Sequence, residues 1–528
     1  MKMRRFLAFL LAAVALASCL SVSADDSDIV DPYVLYTYEE MLADLAQLEE
    51  RYPQLISVSS LGQSVEGREL TVFTLGTGKR EILMCASMHA REYVGTNFVM
   101  YMTEQYCKGY VNEDSYYGLD YKKLLDQVRF VIVPMINPDG VVIAQNGIEG
   151  AENYDALINM PITDEKLSGY YAWKANANGV DLNRNWPHNW TENDKVSSPA
   201  SANYNGPYPC SEPETIAMKK LIDSTPFYMF CSFHTSGKCI YWNDNSNSYE
   251  MYAQHYPIVR RIARGIGYSM VGSENVSKFG GYMINYARAQ TGKVCMTVEL
   301  CPYFNSYPYP YYSSFSSTVN SVYPIGLLMA NEVVNMEPQS EAIDVKIDDK
   351  LLIFTDCRPV IENSRTLIPL RSVCEACGFE VSWEEETQGI TVTDGEKVVN
   401  LAIDSNIITV DGEQSEMDCV PKLYGDRTLL PMRAVMEAFG IAVAWDGENE
   451  TVLVFTDGVI PDGTPGQEEN PPESGDPTQP EAGTEDGSAE QQPEAGTEEA
   501  VPEQQPETEP DTPEDTEPDA LPDSGSAA

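Results

Sequence analysis

The stretch ASMHAREYVG, residues 86–95, follows the apolar run Ile82 to Cys85 and sets His89 and Glu92 three residues apart where a strand should end. An imidazole and a carboxylate so placed could share a metal, or could be two polar residues in an ordinary loop. A catalytic zinc ion takes three protein ligands and leaves one position open, so the pair needs a further donor. The chain has four histidines, His89, His188, His234 and His255, and His234 closes the apolar run FYMFCSF much as His89 closes EILMCASM. In an open α/β sheet, groups at the carboxyl ends of strands meet in one crevice. That makes His89, Glu92 and His234 the candidate ligand set.

Glu299 closes the run VCMTV. A carboxylate there is costly unless paired or raised in pKa; a poised Glu beside water is what metal-assisted hydrolysis requires, and an ion pair with an Arg or Lys is the structural alternative. Between these residues lies WKANANGVDLNRNW, Trp173 to Trp186, with Lys174 and Arg184 among many Asn. Arg can grip a carboxylate through two parallel hydrogen bonds, and a cation near a metal can stabilise an oxyanion. The same stretch could also be a hydrogen-bonded loop without chemistry.

The elements that would position these groups alternate between two patterns. Strands are expected at Leu70–Gly76, Arg80–Met88, Val128–Ile136, Phe227–His234 and Lys293–Leu300, several of them near-continuous apolar runs of the kind buried on both faces of a mostly parallel sheet. Between them, helices are expected over about residues 95–106, 212–223 (behind a capping pair Ser211 and Glu214) and 249–264. An earlier amphipathic helix carries Met41, Leu42, Leu45 and Leu48 on one face behind a capping box of Thr37 and Glu40. The fold class that follows is α/β, a mostly parallel mixed sheet with helices on both faces.

Beyond about residue 338 the pattern changes. RTLIPLRSVCEACGFEVSW from Arg365 matches RTLLPMRAVMEAFGIAVAW from Arg427, and DCRP at Asp356 aligns with DCVP at Asp418. Two copies of one small α+β unit are therefore expected, each with a helix begun after Pro and ended by Gly378 or Gly440. Cys374 and Cys377 have redox-like spacing, but the second copy puts Met436 and Phe439 there, which points to a helix face in the core.

The ends of the chain read differently. Lys2, Arg4 and Arg5 precede the apolar Phe6 to Ala17, an export signal with cleavage after SVSA before Asp25, or at the lipobox-like LASC with lipidation of Cys19. Both routes lead outside the cytoplasm. No later segment has the ~18 consecutive apolar residues of a membrane span. From Pro461 to Ala528 there is no Lys or Arg, 21 residues are acidic, and QPEAGTE occurs twice, so this tail should be disordered. LPDSG at Leu521 is a sortase-like match most simply read as chance. Twelve cysteines invite a disulfide framework, yet Cys85, Cys231 and Cys295 lie in apolar runs as small buried hydrophobes do. A formal charge of −47 excludes nucleic acid as a partner. The expected division is a signal peptide at 1–24, a catalytic domain at 25–337, a two-repeat domain at 338–457 and the acidic tail at 458–528.

HARE, NPDG (Asn137 to Gly140), GVDLNRNW, SEPE (Ser211 to Glu214), FHTSG and TVEL occur in the order found in zinc metallocarboxypeptidases of the carboxypeptidase A type, and the chain resembles their bacterial branch from about Tyr36 to Asn335. The resemblance implies that one zinc ion is held by His89, Glu92 and His234, that Glu299 is the general base, and that Asn183 and Arg184 hold the terminal carboxylate of a peptide. Lys174 falls where pancreatic members have an Arg that polarises the scissile carbonyl. It keeps the charge but not the two-pronged fork. Those members have a mobile Tyr where this chain has Val276, and the position that tunes side-chain preference falls near Met283, which hints at apolar C-terminal residues.

Some relatives with WKAN and GVDLNRN cleave γ-D-glutamyl bonds to diamino acids in cell-wall peptides, which is the main alternative. A wall-associated binding protein without turnover is the other. The repeated unit resembles the copper amine oxidase-like stalk domain of exported bacterial proteins, and implies a spacer or cell-surface contact. No copper is expected, because no His follows His255.

Overall fold

A computed structural model describes residues 27–163, 169–191, 196–244, 247–272, 280–303, 311–337, 343–362, 365–417, 419–424 and 427–465. The signal segment with Cys19, Val276, Asp418 and almost all of the acidic tail lie outside these residues.

The first part is built on one eight-stranded mixed sheet. Its strands are β1 (Ile56–Gln63), β2 (Glu69–Leu75), β3 (Arg80–Ala86), β4 (Val128–Val133), β5 (Met229–Thr235), β6 (Cys239–Tyr241), β7 (Ser269–Val271) and β8 (Val294–Leu300), in the spatial order β1-β2-β4-β3-β5-β8-β6-β7. The central four, β4, β3, β5 and β8, run parallel to one another. Their residues alternate between two cores: Ile82, Met84, Met229, Cys231, Met296 and Val298 face one, while Leu83, Cys85, Phe230 and Cys295 face the other. Burial on both faces is why these strands read as unbroken apolar runs.

Helices cover the sheet: α1 (Tyr38–Arg51), α2 (Val94–Val111), α3 (Pro138–Asn146), α4 (Pro213–Ser224), α5 (Tyr249–Ile266), α6 (Met283–Thr291) and α7 (Ile325–Val334). The capping box at Thr37 and Glu40 forms as its spacing predicts, with Glu40 N–H on Thr37 and the Glu40 carboxylate on Thr37 N–H. The expected cap at Ser211 and Glu214 does not form. Pro213 begins α4 and Glu212 is the N-cap; the Ser211 hydroxyl donates to Glu212 Oε1 (2.6 Å) and Glu214 accepts from Val65 N and Asn176 Nδ2 instead.

Residues 343–455 form three further sheets around their own apolar core. The repeat has a structural counterpart. Strands Arg365–Pro369 and Arg427–Pro431 pair antiparallel with Ile368 opposite Leu430, its own equivalent in the second copy, so a local twofold axis passes through that pair. Each strand leads into a short helix, Leu370–Ala376 or Met432–Ala438, and then a hairpin. Cys374 and Met436 are both fully buried in that core, with Cys377 and Phe439 packed against it, as the alignment of copies implies. The eleven described cysteines are all free. Among the described residues no helix is long and apolar enough to cross a membrane.

A buried ion network joins the two parts. Arg129, near the start of β4, meets Glu81 at 2.9 Å and grips both oxygens of Asp344 at 2.9 Å, while Arg358 reaches Glu81 at 2.7 Å and Lys79 reaches Asp344 at 3.0 Å. Burial alone would raise Asp344, but Arg129 and Lys79 hold its carboxyl far below the usual range. Removing one partner of a buried pair strands the others. Arg129→Ala is therefore expected to cost about 3–5 kcal/mol of stability in denaturant unfolding; a change below about 1 kcal/mol would show that the network is not a structural tie.

Candidate active site

The carboxyl ends of β3, β5 and β8 converge on one cleft of about 360 Å³. After β3 the chain turns sharply at Ser87, whose backbone is left-handed (φ 52°) and whose hydroxyl bonds Thr96 at 2.7 Å. His89 follows in extended conformation, and a single 3₁₀ turn, Ala90–Glu92, brings Glu92 back beside it before α2 begins. His234 is the penultimate residue of β5, and Glu299 lies directly opposite it in the parallel β5–β8 register. The NPDG motif holds the surrounding loops: Asn137 caps α3 by accepting from Gly140 N, and its amide donates to Met88 O (3.2 Å) and Ala175 O (3.0 Å). Ala90 N–H in turn donates to Lys174 O at 3.2 Å.

The candidate ligand set comes together as its spacing and resemblance predict. His89 Nδ1 lies 2.9 Å from Glu92 Oε1, His234 Nδ1 lies 2.9 Å from Glu92 Oε2, and the two Nδ1 atoms are 3.0 Å apart. One ligand atom from each residue falls within 4.8 Å of the others, all three residues are buried, and no second such group of His, Cys, Asp and Glu occurs among the described residues. Two imidazole nitrogens and a carboxylate oxygen are the donor types of a catalytic zinc site, so the residues fit the ion. Burial would raise Glu92, yet the imidazoles of His89 and His234 hold it well below the usual carboxylate range.

Lys174, Asn183 and Arg184 line the same cleft. The residue that ties them together is Asp181, which the sequence reading quoted within GVDLNRNW but did not single out. Completely buried, it accepts from Lys174 Nζ at 2.9 Å and from Asn183 N at 3.2 Å, and lies 3.3 Å from His89 Nε2. Its burial raises its pKa, but Lys174, Arg184 and His89 outweigh that and keep it well below normal. Burial pushes the Lys174 ammonium down, with Asp181 pulling the other way. A carboxylate on the far nitrogen of a ligand imidazole fixes its tautomer and orientation.

Glu299 keeps part of its surface open to the cleft while protein surrounds its carboxyl. Burial first, opposed by His234 and Lys174 and reinforced by Glu92, pushes it up to about 7. Arg184 lies over the Tyr282 ring, 4.6 Å from its centroid. The Gly280–Gly281 pair makes that approach possible: Gly281 has φ +77° and a Cβ there would sit 2.1 Å from Arg184 O. Asn183 accepts from Met283 N–H at 3.0 Å. The Met283 side chain itself turns away into the core that holds Leu182 and Trp186, and it is Ile284, Asn285 and Arg288 of α6 that face the cleft. The sequence expectation for Met283 is corrected accordingly: the alignment after the glycine pair is loose, and the first turn of α6 directs Met283 inward.

Residues 41–305, just over half of the chain, match the family model described as zinc carboxypeptidase, and the chain belongs to that family. Residues 346–454 match the model of the copper amine oxidase N-terminal domain. Among relatives, the Gamma-D-glutamyl-L-diamino acid endopeptidase 1 of Lysinibacillus sphaericus is 34% identical over 251 residues, covering 47% of this chain and 61% of that protein. Carboxypeptidase B of Astacus astacus is 32% identical over 191 residues, covering 34% and 53%. The chain thus spans between about half and three-fifths of the length of these relatives.

Elemental analysis is expected to find one zinc per chain. Glu92→Ala and His234→Ala should lower zinc affinity by more than about a hundredfold, and Asp181→Asn by about tenfold. Wild-type zinc content in the ligand variants would remove this site from consideration.

Proposed function

We propose that the chain is an exported zinc-dependent peptidase that hydrolyses the bond before a residue with a free terminal carboxylate. The observation that carries this reading is the register of β8 on β5, which sets the Glu299 carboxyl beside the His89–Glu92–His234 cluster in a cleft that also holds Arg184. A zinc ion bound by those three residues supplies Lewis acidity and lowers the pKa of water at the site. Glu299, raised by its burial, takes the proton from the attacking water and returns it to the leaving amine. Lys174, kept charged beside Asp181, stabilises negative charge developing on the carbonyl oxygen. Asn183 and Arg184 hold the substrate's terminal carboxylate and so place the scissile bond.

A second reading is supported by the Lysinibacillus sphaericus relative and by the polar far end of the cleft, where Asn285 and Arg288 stand. On that reading the bond cleaved joins γ-D-glutamate to a diamino acid in cell-wall peptides. Export rests on the basic and apolar segment of residues 2–17, with the two-repeat domain acting as a spacer at the cell surface.

Glu299→Gln is expected to keep zinc and lose at least about a hundredfold in kcat. In the wild type, activity should fall as the pH drops below the Glu299 ionisation, because a protonated carboxyl cannot accept a proton. A variant that turns over at near-normal rate would take the base role away from Glu299. Converting the substrate's C-terminal carboxylate to an amide should abolish cleavage; equal rates on both peptides would contradict Arg184 as the anchor.

A further inference from the structure

Past Arg184 the cleft is closed by Tyr241, Trp242, Ile284, Asn285 and Thr297, with Arg288 among them. Arg288 is 1% exposed. Its Nη1 donates to Asp244 Oδ2 (3.1 Å) and Asn285 Oδ1 (3.0 Å), and its Nη2 donates to Cys295 O (2.9 Å). The remaining donor, Nε, is buried without an acceptor among the described residues. A buried guanidinium N–H left unpaired is costly, and a Met or Leu would fill the place without that cost. An unsatisfied donor on the wall of a binding cleft is what a recognition group looks like before its ligand arrives.

We infer that Arg288 reads the side chain of the substrate's C-terminal residue and selects one that ends in a carboxylate. A purely anionic side chain would also meet the negative Asp244, which already shares the guanidinium. A side chain whose end carries an ammonium beside its carboxylate meets both: the carboxylate accepts from Arg288 Nε, and the ammonium faces Asp244 and the Asn285 carbonyl oxygen. The chemical class is therefore a diamino dicarboxylic acid, whose distal end repeats the amino-acid head. This deepens the second reading above and rests on the cleft being the peptide site. It also separates two substrates that reading would otherwise treat alike, because a C-terminal diamino monocarboxylic acid such as lysine lacks the distal carboxylate.

The test compares L-Ala-γ-D-Glu-meso-diaminopimelate with the same peptide ending in L-lysine. Binding of each to the zinc-loaded Glu299→Gln chain is measured by calorimetry, and hydrolysis of each by the wild type is followed separately. The diaminopimelate peptide is expected to bind about tenfold tighter or more, and Arg288→Gln in the same background should bring the ratio close to one. Equal binding of the two peptides with Arg288 intact overturns the inference, as does a preference that survives Arg288→Gln. The first comparison needs no change at Arg288, so it stands even if that variant folds poorly. A binding preference without wild-type hydrolysis would sink the peptidase reading and leave this one standing; hydrolysis of both peptides with equal affinity would do the reverse.

Discussion

Parallel pairing of β3, β5 and β8 places every reacting group in this molecule. Ala86 lies opposite Phe233 and His234 opposite Glu299, so the loop that carries His89 and Glu92 leaves the sheet beside the strand end that carries His234. A slip of one residue in either pairing would turn a whole strand over and exchange its two faces. Here both faces are filled, Phe230 and Cys295 on one side and Cys231 and Met296 on the other, which ties the register to the packing of two cores. Precision at the site is thus a property of the core beneath it, and the loops only complete it.

That core delivers a dense set of charges into a buried place, and Asp181 makes the arrangement tolerable. Two cations, Lys174 and Arg184, stand in one cleft with two carboxylates, Glu92 and Glu299, and with two imidazoles. Glu92 is held by the imidazoles, whereas Glu299 has no comparable partner and rises. Asp181, completely buried against Lys174 and facing His89 from behind, compensates the cations without entering the cleft lining. The positive charge on the cleft wall remains available to an anionic substrate, while the protein as a whole does not bear the cost of an unpaired buried ammonium.

Much of this was legible in the sequence, and the exceptions share a cause. The long apolar runs became β2, β3, β4, β5 and β8 within a residue or two, because burial on both faces leaves an unmistakable pattern. β6 and β7, three residues each, are too short to leave one, and β1 is an edge strand whose serines are half exposed. The metal ligands could be named because strand-end histidines are few. Asp181 and Arg288 could not, since one is defined by contacts to Lys174 and His89 and the other by an unpaired nitrogen beside Asp244, and neither relation is visible in local spacing. Met283 failed for the complementary reason: one helical turn decides whether a residue faces the cleft or the core.

The two-repeat domain attaches to the sheet at the end opposite to this chemistry. Glu81 and Arg129 lie at the amino ends of β3 and β4, whereas His89 and His234 lie at the carboxyl ends of β3 and β5. Asp344 and Arg358 meet the former pair, and Ile353 packs into the core behind Leu83 and Val72. A docking made only of exposed ion pairs would swing freely and contribute little, but this one buries a bidentate Arg–carboxylate contact and an apolar side chain together. The consequence is directional. Whatever the repeats touch, the cleft faces away from it, and a peptide can reach Arg184 without passing the domain that holds the enzyme in place.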